Sequence, residues 1–166
     1  MKKSDNNIES GFQRLVMEQK STIYSVCYMF AESKTVADDL FQETLINLWQ
    51  GYEKFRGESN PRTWVYRVSL NTCLSYKRKK QVKTVPLDIS PDILSESTSV
   101  GRQNVLLHER ITRLEPFDRA IILLWLEDLP YEDIAAIAGI SVSALSTRLV
   151  RIRKKLISLN QEAKLS

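Results

Sequence analysis

Residues 131–149 read YEDIAAIAGISVSALSTRL, and they carry the strongest local structural signal in the chain. Its small and apolar residues fall where two crossed helices would touch, and Gly139 stands between them, where a turn needs a positive φ. Ala135 is small where the helices approach, and Ser141 is placed to cap the second helix. The spacing therefore predicts a helix-turn-helix. We expect its shared core to contain Ile134, Ile140, Val142, Leu145 and Leu149.

The outward face of the second helix carries short hydroxyl side chains and guanidinium groups, which can reach base edges or phosphates. This face holds Ser143, Ala144, Ser146, Thr147, Arg148 and Arg151, and a basic strip of Arg153, Lys154 and Lys155 extends it. An ordinary helical hairpin is the alternative, because cations near a helix C-terminus are favoured by the helix dipole. Five basic residues from Arg148 to Lys155, with no acid among them, favour a nucleic-acid partner.

Upstream, residues 37–49 (ADDLFQETLINLW) predict an acidic amphipathic helix. Thr35 and Asp38 form a capping-box-like start, and the pattern ends near Gly51. The apolar stripe consists of Val36, Leu40, Phe41, Leu45, Leu48 and Trp49. The opposite face combines acids with an isoleucine, which suits a protein partner, although a solvated helix face is an equal alternative. That face holds Asp38, Asp39, Gln42, Glu43, Ile46 and Asn47.

Residues 55–80 (FRGESNPRTWVYRVSLNTCLSYKRKK) mix aromatic and basic side chains. Asn60 caps a helix whose first position is Pro61, and the last turn of that helix is a lysine-rich cluster. Aromatic rings can stack on unpaired bases while cations follow the backbone, so the segment is typical of a grip on single-stranded DNA. For Trp64 alone, a place in the core is an equal alternative.

The amino-acid composition is typical of a globular, helical protein. The 166 residues carry a net charge of +4, are 43% hydrophobic and include only five Gly and five Pro, which favours helices. Cys27 and Cys73 lack metal-ligand spacing, so we expect reduced, buried thiols in a cytoplasmic protein. The single histidine, His108, and the lack of a nucleophile motif or glycine-rich phosphate loop argue against an enzyme, a metal or a cofactor. No apolar run is long enough to span a bilayer.

The periodic segments predict an all-α chain of two small helical domains, residues 1–80 and 102–166, joined by a flexible linker over residues 81–101. The linker prediction rests on its prolines and its Ser/Thr-rich composition. Further helices are expected over residues 12–30, 105–114, 117–126 and 131–138, with a last one from Ser141 to about Leu156.

These segments resemble, in order, the conserved regions of the extracytoplasmic-function (ECF) sigma factors of the sigma-70 superfamily. Residues 37–49 look like region two-point-two, residues 55–80 like regions two-point-three and two-point-four, and residues 114–156 like region four. The resemblance implies a promoter-specificity subunit of bacterial RNA polymerase with no catalysis of its own. The chain departs from the family at Ser146 and Val150, where Lys and His are common, and at Asn60 and Pro61, where a serine and an aromatic residue are usual.

The resemblance also implies partners. The acidic face would dock on the beta-prime clamp coiled coil of the core polymerase, with the beta flap as a second contact, and an anti-sigma factor would be a further partner. The minus-ten promoter element would be recognised and opened by Arg56, Ser59, Asn60, Arg62, Thr63, Trp64, Arg67, Asn71, Lys77 and Arg78. The minus-thirty-five element would be read as duplex by Ser141, Ser143, Ala144, Ser146, Thr147, Arg148, Arg151, Arg153 and Lys154.

Two other kinds of function remain open from the sequence. A stand-alone helix-turn-helix regulator would bind duplex DNA without polymerase, but it would leave the acidic helix and the aromatic-basic segment without a role. A helical adaptor protein would use the acidic face alone. Dependence of promoter binding on core polymerase separates a sigma factor from both.

Overall fold

The structure is a computed structural model that describes residues 2–55, 57, 60–81 and 99–165. These residues form seven helices, and no strand occurs among them. The helices are α1 (Lys2–Phe30), α2 (Lys34–Phe55), α3 (Pro61–Gln81), α4 (Ser99–Thr112), α5 (Pro116–Leu126), α6 (Tyr131–Ala138) and α7 (Val142–Leu165). The predicted all-α class is confirmed.

The chain separates into two compact units, Met1–Ser90 and Pro91–Ser166. The division falls inside the segment predicted as a linker. Residues 82–98 of that segment lie outside the described residues, and α4 already begins at Ser99.

The first unit is a bundle in which α1, α2 and α3 pack against one another. Apolar residues at helical spacing on α1, among them Ile23, Val26 and Phe30, are buried as the periodicity predicts. Cys27 and Cys73 are buried free thiols. A hydrogen bond with Cys27, together with burial, raises the pKa of the Cys73 thiol, so this thiol stays protonated.

Helix α1 starts ten residues before the predicted position because Gly11 does not interrupt it. A Cβ at Gly11 would lie 2.7 Å from the Tyr52 hydroxyl oxygen, so the missing side chain lets α2 approach α1. Helix α2 likewise continues past Gly51 to Phe55, and a Cβ at Gly51 would lie 3.2 Å from Cζ2 of Trp64. Both glycines are sites of close packing, which explains why they are found inside helices.

The start of α2 corrects one prediction. The N–H of Val36 donates to Ser33 Oγ at 3.2 Å, so Ser33 caps the helix and Thr35 lies inside its first turn. At α3 the prediction is confirmed, since Asn60 Oδ1 accepts from the N–H of Arg62 at 2.9 Å and Pro61 is the first helical residue.

The second unit consists of α4 to α7, with α7 packed against the other three helices. Its fully buried side chains come from several helices and include Ile111, Ile121, Leu124, Ile134 and Leu145. The buried Arg119 donates from Nη2 to the carbonyl oxygens of Thr112 at 2.6 Å and Leu114 at 3.1 Å. These bonds satisfy carbonyl groups left without helical partners at the end of α4.

The helix-turn-helix forms at the predicted residues. Gly139 has φ +70° and ends α6, and Ser141 Oγ accepts from the N–H of Ala144 at 3.1 Å at the start of α7. Val142 was expected in the core but is 40% exposed, and it is the first residue of α7. Instead, the buried stripe of α7 runs through Leu145, Leu149 and Ile152, and the helix continues to Leu165.

Within the described residues, no single helix has the length and apolarity needed to cross a membrane. Only the bent pair of α6 with residues 142–162 passes that test jointly, and its two helices meet at 94°.

Candidate functional site

The acidic face of α2 is a solvent-exposed surface. Asp38, Asp39, Gln42 and Glu43 are exposed, and Ile46 is 56% exposed among them. Asn47, the sixth residue predicted for this face, is half-buried and donates from Nδ2 to Thr72 Oγ1 at 2.9 Å. Asn47 therefore joins α2 to α3, and the other five residues form the surface.

Trp49 extends this surface, although the sequence placed it in the apolar stripe. It is 47% exposed, whereas its neighbour Leu48 is fully buried. The ring of Trp49 makes an edge-to-face contact with Phe12 of α1 at a centroid distance of 5.0 Å. Because Trp49 follows Ile46 by three residues, the two side chains form an exposed apolar strip beside the acids. We call Asp38, Asp39, Gln42, Glu43, Ile46 and Trp49 the α2 face.

The N-terminal end of α3 holds an aromatic cluster. The ring of Trp64 stacks on Phe55 at a centroid distance of 4.5 Å and lies 6.5 Å from the ring of Tyr52. The half-buried Trp64 therefore belongs to the packing between α2 and α3 and still has solvent-accessible surface. Of the other residues predicted to contact melted DNA, Arg56 and Ser59 lie outside the described residues.

Three predicted DNA contacts share one exposed stripe of α3. Asn71 follows Arg67 by four residues and Arg78 follows Asn71 by seven, so the helical period places them on the same side. All three are exposed, as are Asn60 and Arg62 at the start of the helix, while Thr63 is half-buried. The stripe thus runs from the loop before α3 to its basic end.

The basic end of α3 contains an ion-pair cluster that the sequence did not predict. Glu32, in the connection between α1 and α2, accepts from Lys77 Nζ at 2.6 Å and lies 2.8 Å from Lys80 Nζ. The Tyr76 hydroxyl donates to the same carboxylate at 3.0 Å. We call Glu32, Tyr76, Lys77 and Lys80 the Glu32 cluster.

The protonation states of Glu32 and Tyr76 favour the hydrogen bonds of the Glu32 cluster. Burial of the Glu32 carboxyl opposes its ionisation, but the hydrogen bonds from Lys77 and Lys80 outweigh it and lower the Glu32 pKa to about 2. Burial and the charge of Glu32 raise the pKa of Tyr76 to about 12, so the phenol stays protonated as a donor. At neutral pH the carboxylate is therefore ionised and fully engaged.

Helix α7 presents the predicted duplex-reading face in part. Ser143, Ala144, Thr147 and Arg151 are exposed, and Ser146 is half-buried. Two hydroxyls are engaged with the backbone of the same helix, since Ser146 Oγ donates to the carbonyl of Val142 and Thr147 Oγ1 to that of Ser143. The Ser141 hydroxyl serves as the helix cap. Lys154 and Lys155 are exposed beyond them.

Two arginines of α7 contact neighbouring helices. Nε of Arg148 donates to Asp118 Oδ1, and the guanidinium lies 4.7 Å from the centroid of the Phe117 ring. The guanidinium of Arg153 lies 5.6 Å from the centroid of Trp125. Arg148 therefore fastens α7 to α5, and among the predicted duplex contacts Arg151 is the arginine with an exposed side chain and no contact of this kind in the described part of the chain.

Comparison with protein-family models identifies both units. Residues 15–82 match the model of sigma-70 region 2, and residues 104–156 match that of sigma-70 region 4. The two matches cover the three-helix bundle and the helix-turn-helix unit.

Among curated relatives, the ECF RNA polymerase sigma factor SigG of Mycobacterium tuberculosis is 30% identical over 168 residues. That alignment covers 82% of this chain but 45% of SigG, so the chain spans about half the length of that relative. The RNA polymerase sigma factor SigV of Bacillus subtilis is 27% identical, with 89% of this chain and 90% of SigV covered. The ECF RNA polymerase sigma-E factor of Haemophilus influenzae is 28% identical, with 88% and 85% covered.

Two solved structures have a similar fold. The sigma factor RpoE of Bartonella quintana, in complex with the anti-sigma factor NepR, has a TM-score of 0.70 at 21% identity, with 91% of this chain and 97% of that chain covered. CnrH, in complex with the cytosolic domain of CnrY, has a TM-score of 0.68 at 21% identity, with 93% and 90% covered. At these identities the likeness is one of fold.

The matches to both family models place the three-helix bundle and the helix-turn-helix unit in the sigma-70 class of transcription initiation proteins. The chain belongs to the sigma-70 family, as both family models show, and the curated relatives that it is similar to include ECF sigma factors.

Proposed function

We propose that this protein is a sigma factor that binds the core of bacterial RNA polymerase and directs it to specific promoters. The observation that carries the proposal is the presence, in one chain, of the exposed acidic α2 face, the aromatic and cationic stripe of α3, and a helix-turn-helix with an exposed basic helix. A duplex-binding regulator needs only the last of these features, whereas promoter opening by a polymerase subunit uses all three.

In this proposal, the α2 face docks on the clamp coiled coil of the beta-prime subunit. Its exposed carboxylates supply long-range attraction for a basic partner, and the strip of Ile46 and Trp49 supplies apolar area to bury at the centre of the contact. Asn47 contributes indirectly, because its hydrogen bond to Thr72 fixes α2 against α3.

The α3 segment opens and holds the minus-ten element. A base taken out of the stack costs a few kcal/mol, and a protein recovers this by stacking and by backbone contacts. Trp64, supported by Phe55, offers a ring next to the exposed Asn60 and Arg62. The exposed stripe of Arg67, Asn71 and Arg78 extends along α3 from this ring and would contact the duplex DNA next to the opened bases.

The second unit reads the minus-thirty-five element with α7 in the major groove, and the beta flap of the polymerase is its protein partner. Exposed Ser143, Thr147 and Arg151 are the side chains placed to contact base edges or phosphates. Because two solved relatives are complexes with the anti-sigma factor NepR and with the cytosolic domain of CnrY, we also propose an anti-sigma partner for this chain. The proposed location is the cytoplasm, where these partners meet.

Assembly with core polymerase tests the proposal. Reversing two charges of the α2 face, Asp39→Lys with Glu43→Lys, should weaken binding to purified bacterial core polymerase at least tenfold at low salt, because it removes electrostatic complementarity. The single reversal Glu43→Lys should also weaken binding, and its matched control is Glu53→Lys, at an exposed acid near the end of the same helix, which should have a much smaller effect.

The measurement is fluorescence anisotropy of the labelled full chain titrated with core polymerase, followed by transcription from a promoter selected from a random library. Failure of the wild-type chain to bind core polymerase would refute the sigma function. Promoter binding that is equally tight without polymerase would favour a stand-alone regulator.

A further inference from the structure

The Glu32 cluster divides the basic end of α3 into an inner and an outer pair of cations. Lys77 and Lys80 follow the fully buried Leu70 and Cys73 by seven residues each, so they continue the core-facing side of α3 past the end of the apolar core. Arg78 and Lys79 lie on the other side of the helix and are exposed. The sequence alone shows four adjacent cations that look equivalent.

We propose that Glu32 withholds Lys77 and Lys80 from DNA, so that Arg78 and Lys79 are the cations of this cluster that bind promoter phosphates. This inference rests on the proposed sigma function and refines it, because Lys77 was among the predicted DNA contacts. Glu32 is a positioning residue in this scheme, since it acts through the lysines.

Distances and burial support the division. The side chains of Lys77 and Glu32 are 15% and 11% exposed, and Lys77 Nζ lies 2.6 Å from Glu32 Oε1. The ion pair is therefore largely shielded from solvent. The Lys80 side chain is 32% exposed, and its Nζ lies 2.8 Å from the same Glu32 oxygen. For either lysine to bind a phosphate, it would have to leave a charge-assisted hydrogen bond and leave Glu32 without that partner.

The direction of Arg78 supports the outer role. Arg78 continues the exposed stripe of Arg67 and Asn71, and its guanidinium makes a hydrogen bond of 3.2 Å only with the nearby hydroxyl of Ser75 in the described contacts. A phosphate can replace that neutral partner without leaving an unpaired charge. The outer pair is therefore available at low cost, and the inner pair is not.

Salt dependence of DNA binding tests the division, because each cation that neutralises a phosphate of duplex DNA adds about 0.9 to the slope of log K against log salt. The probe is a labelled 30-base-pair duplex of random sequence, and its binding by the full chain assembled with core polymerase is followed by anisotropy from low to moderate KCl, with core polymerase alone as the baseline. Two double variants that remove equal charge are compared, Lys77→Gln with Lys80→Gln and Arg78→Gln with Lys79→Gln.

The Arg78→Gln, Lys79→Gln variant should reduce the magnitude of the slope by about 1 to 2, and the Lys77→Gln, Lys80→Gln variant by less than about 0.5. Equal losses for the two variants, or no loss for the outer one, would overturn the inference. The inner double variant leaves Glu32 without its lysine partners, so a triple variant that also carries Glu32→Gln is the control. Far-UV circular dichroism and the thermal midpoint of each variant test whether the fold is intact.

The single variant Glu32→Gln distinguishes the proposed role from a purely structural one, because a purely structural role would not make the salt dependence of DNA binding steeper. Freeing Lys77 and Lys80 should make binding tighter and the slope steeper, by about 0.9 for each lysine that turns to a phosphate. Weaker binding with an unchanged slope would instead mean that Glu32 presents the lysines to DNA. If the wild-type chain does not bind core polymerase, the proposed function fails; if it binds and only the slopes of the variants depart from expectation, the division of cations fails.

Discussion

Glu32 couples the connection between α1 and α2 to the basic end of α3, and this coupling depends on pH. Burial raises the pKa of the Glu32 carboxyl, but the hydrogen bonds from Lys77 and Lys80 lower it by more. The pKa in the folded state is therefore about 2, against 4.5 for an ordinary glutamate carboxyl. A carboxyl with a depressed folded pKa stabilises the fold fully above its unfolded pKa, and this contribution is lost as the pH falls toward the folded value.

We therefore expect the wild-type protein to lose more stability between pH 4.5 and about 2 than the variant Glu32→Gln. Urea unfolding at a series of pH values, followed by circular dichroism, measures the difference. The control is Glu53→Gln, which removes an exposed carboxyl of α2 and should leave the wild-type profile in place. Parallel curves for the wild type and Glu32→Gln would refute the coupling.

Arg148 fastens the recognition helix to α5 through Asp118 and Phe117. The ion pair is partly exposed, so the contribution of Arg148 to stability is modest. Arg148→Ala should reduce the free energy of unfolding by about 1 kcal/mol, from a partly screened ion pair and a cation–π contact. A double-mutant cycle with Asp118→Ala measures the coupling, and purely additive effects would contradict the contact.

The exposed Arg151 is the matched comparison for Arg148, one helical turn further along α7. Arg151→Ala should leave the stability unchanged and weaken promoter binding by the holoenzyme by about 1–3 kcal/mol if it contacts a base. Equal loss on random DNA would show that Arg151 contacts phosphate only.

At the scale of the element, the turn between α6 and α7 depends on one backbone conformation. Gly139 has φ +70°, and a Cβ placed there would meet nothing within 4 Å, so any penalty for a side chain comes from the backbone alone. Gly139→Ala should destabilise the second unit by about 1–2 kcal/mol, whereas Gly139→Asn should cost less because asparagine tolerates the left-handed region. Urea unfolding of the full chain measures both, and equal losses would contradict this reason.

The elements also show how far sequence patterns reach. The caps at Asn60 and Ser141 and the turn at Gly139 were predicted, because each depends on residues at most five positions apart. The start of α2 was predicted wrongly: Ser33 and Thr35 are both residue types that cap helices, and the helix begins at Lys34, directly after Ser33. The sequence also placed Trp49 in the buried stripe, but Trp49 is 47% exposed and contacts Phe12 of α1 through the edge of its ring.

At the scale of the whole molecule, each unit contains its own core. Phe30, Leu40 and Leu70 are fully or almost fully buried in the first unit, and Ile134 and Leu145 in the second. Cores that share no helix support independent folding of the two units.

We expect fragments covering residues 1–90 and 91–166 each to be helical and to unfold cooperatively, as followed by circular dichroism. Leu145→Ala, which removes a fully buried side chain, should destabilise the second fragment by about 2–5 kcal/mol. In the full chain, the same substitution should lower the stability of the second unit and leave that of the first unchanged. An unfolded first fragment would contradict the independence of the cores.

Sequence patterns were sufficient to predict the helical class, the order of the helices, the helix-turn-helix and the resemblance to ECF sigma factors, because helical periodicity and capping are local properties of a chain. The packing of the helices was needed to show which cations are available to a polyanion. Lys77 is paired with a carboxylate 45 residues away and Arg148 with one 30 residues away, whereas Arg78 and Arg151 remain exposed. Such pairs form where helices meet, and the meeting of helices depends on packing that no local pattern encodes.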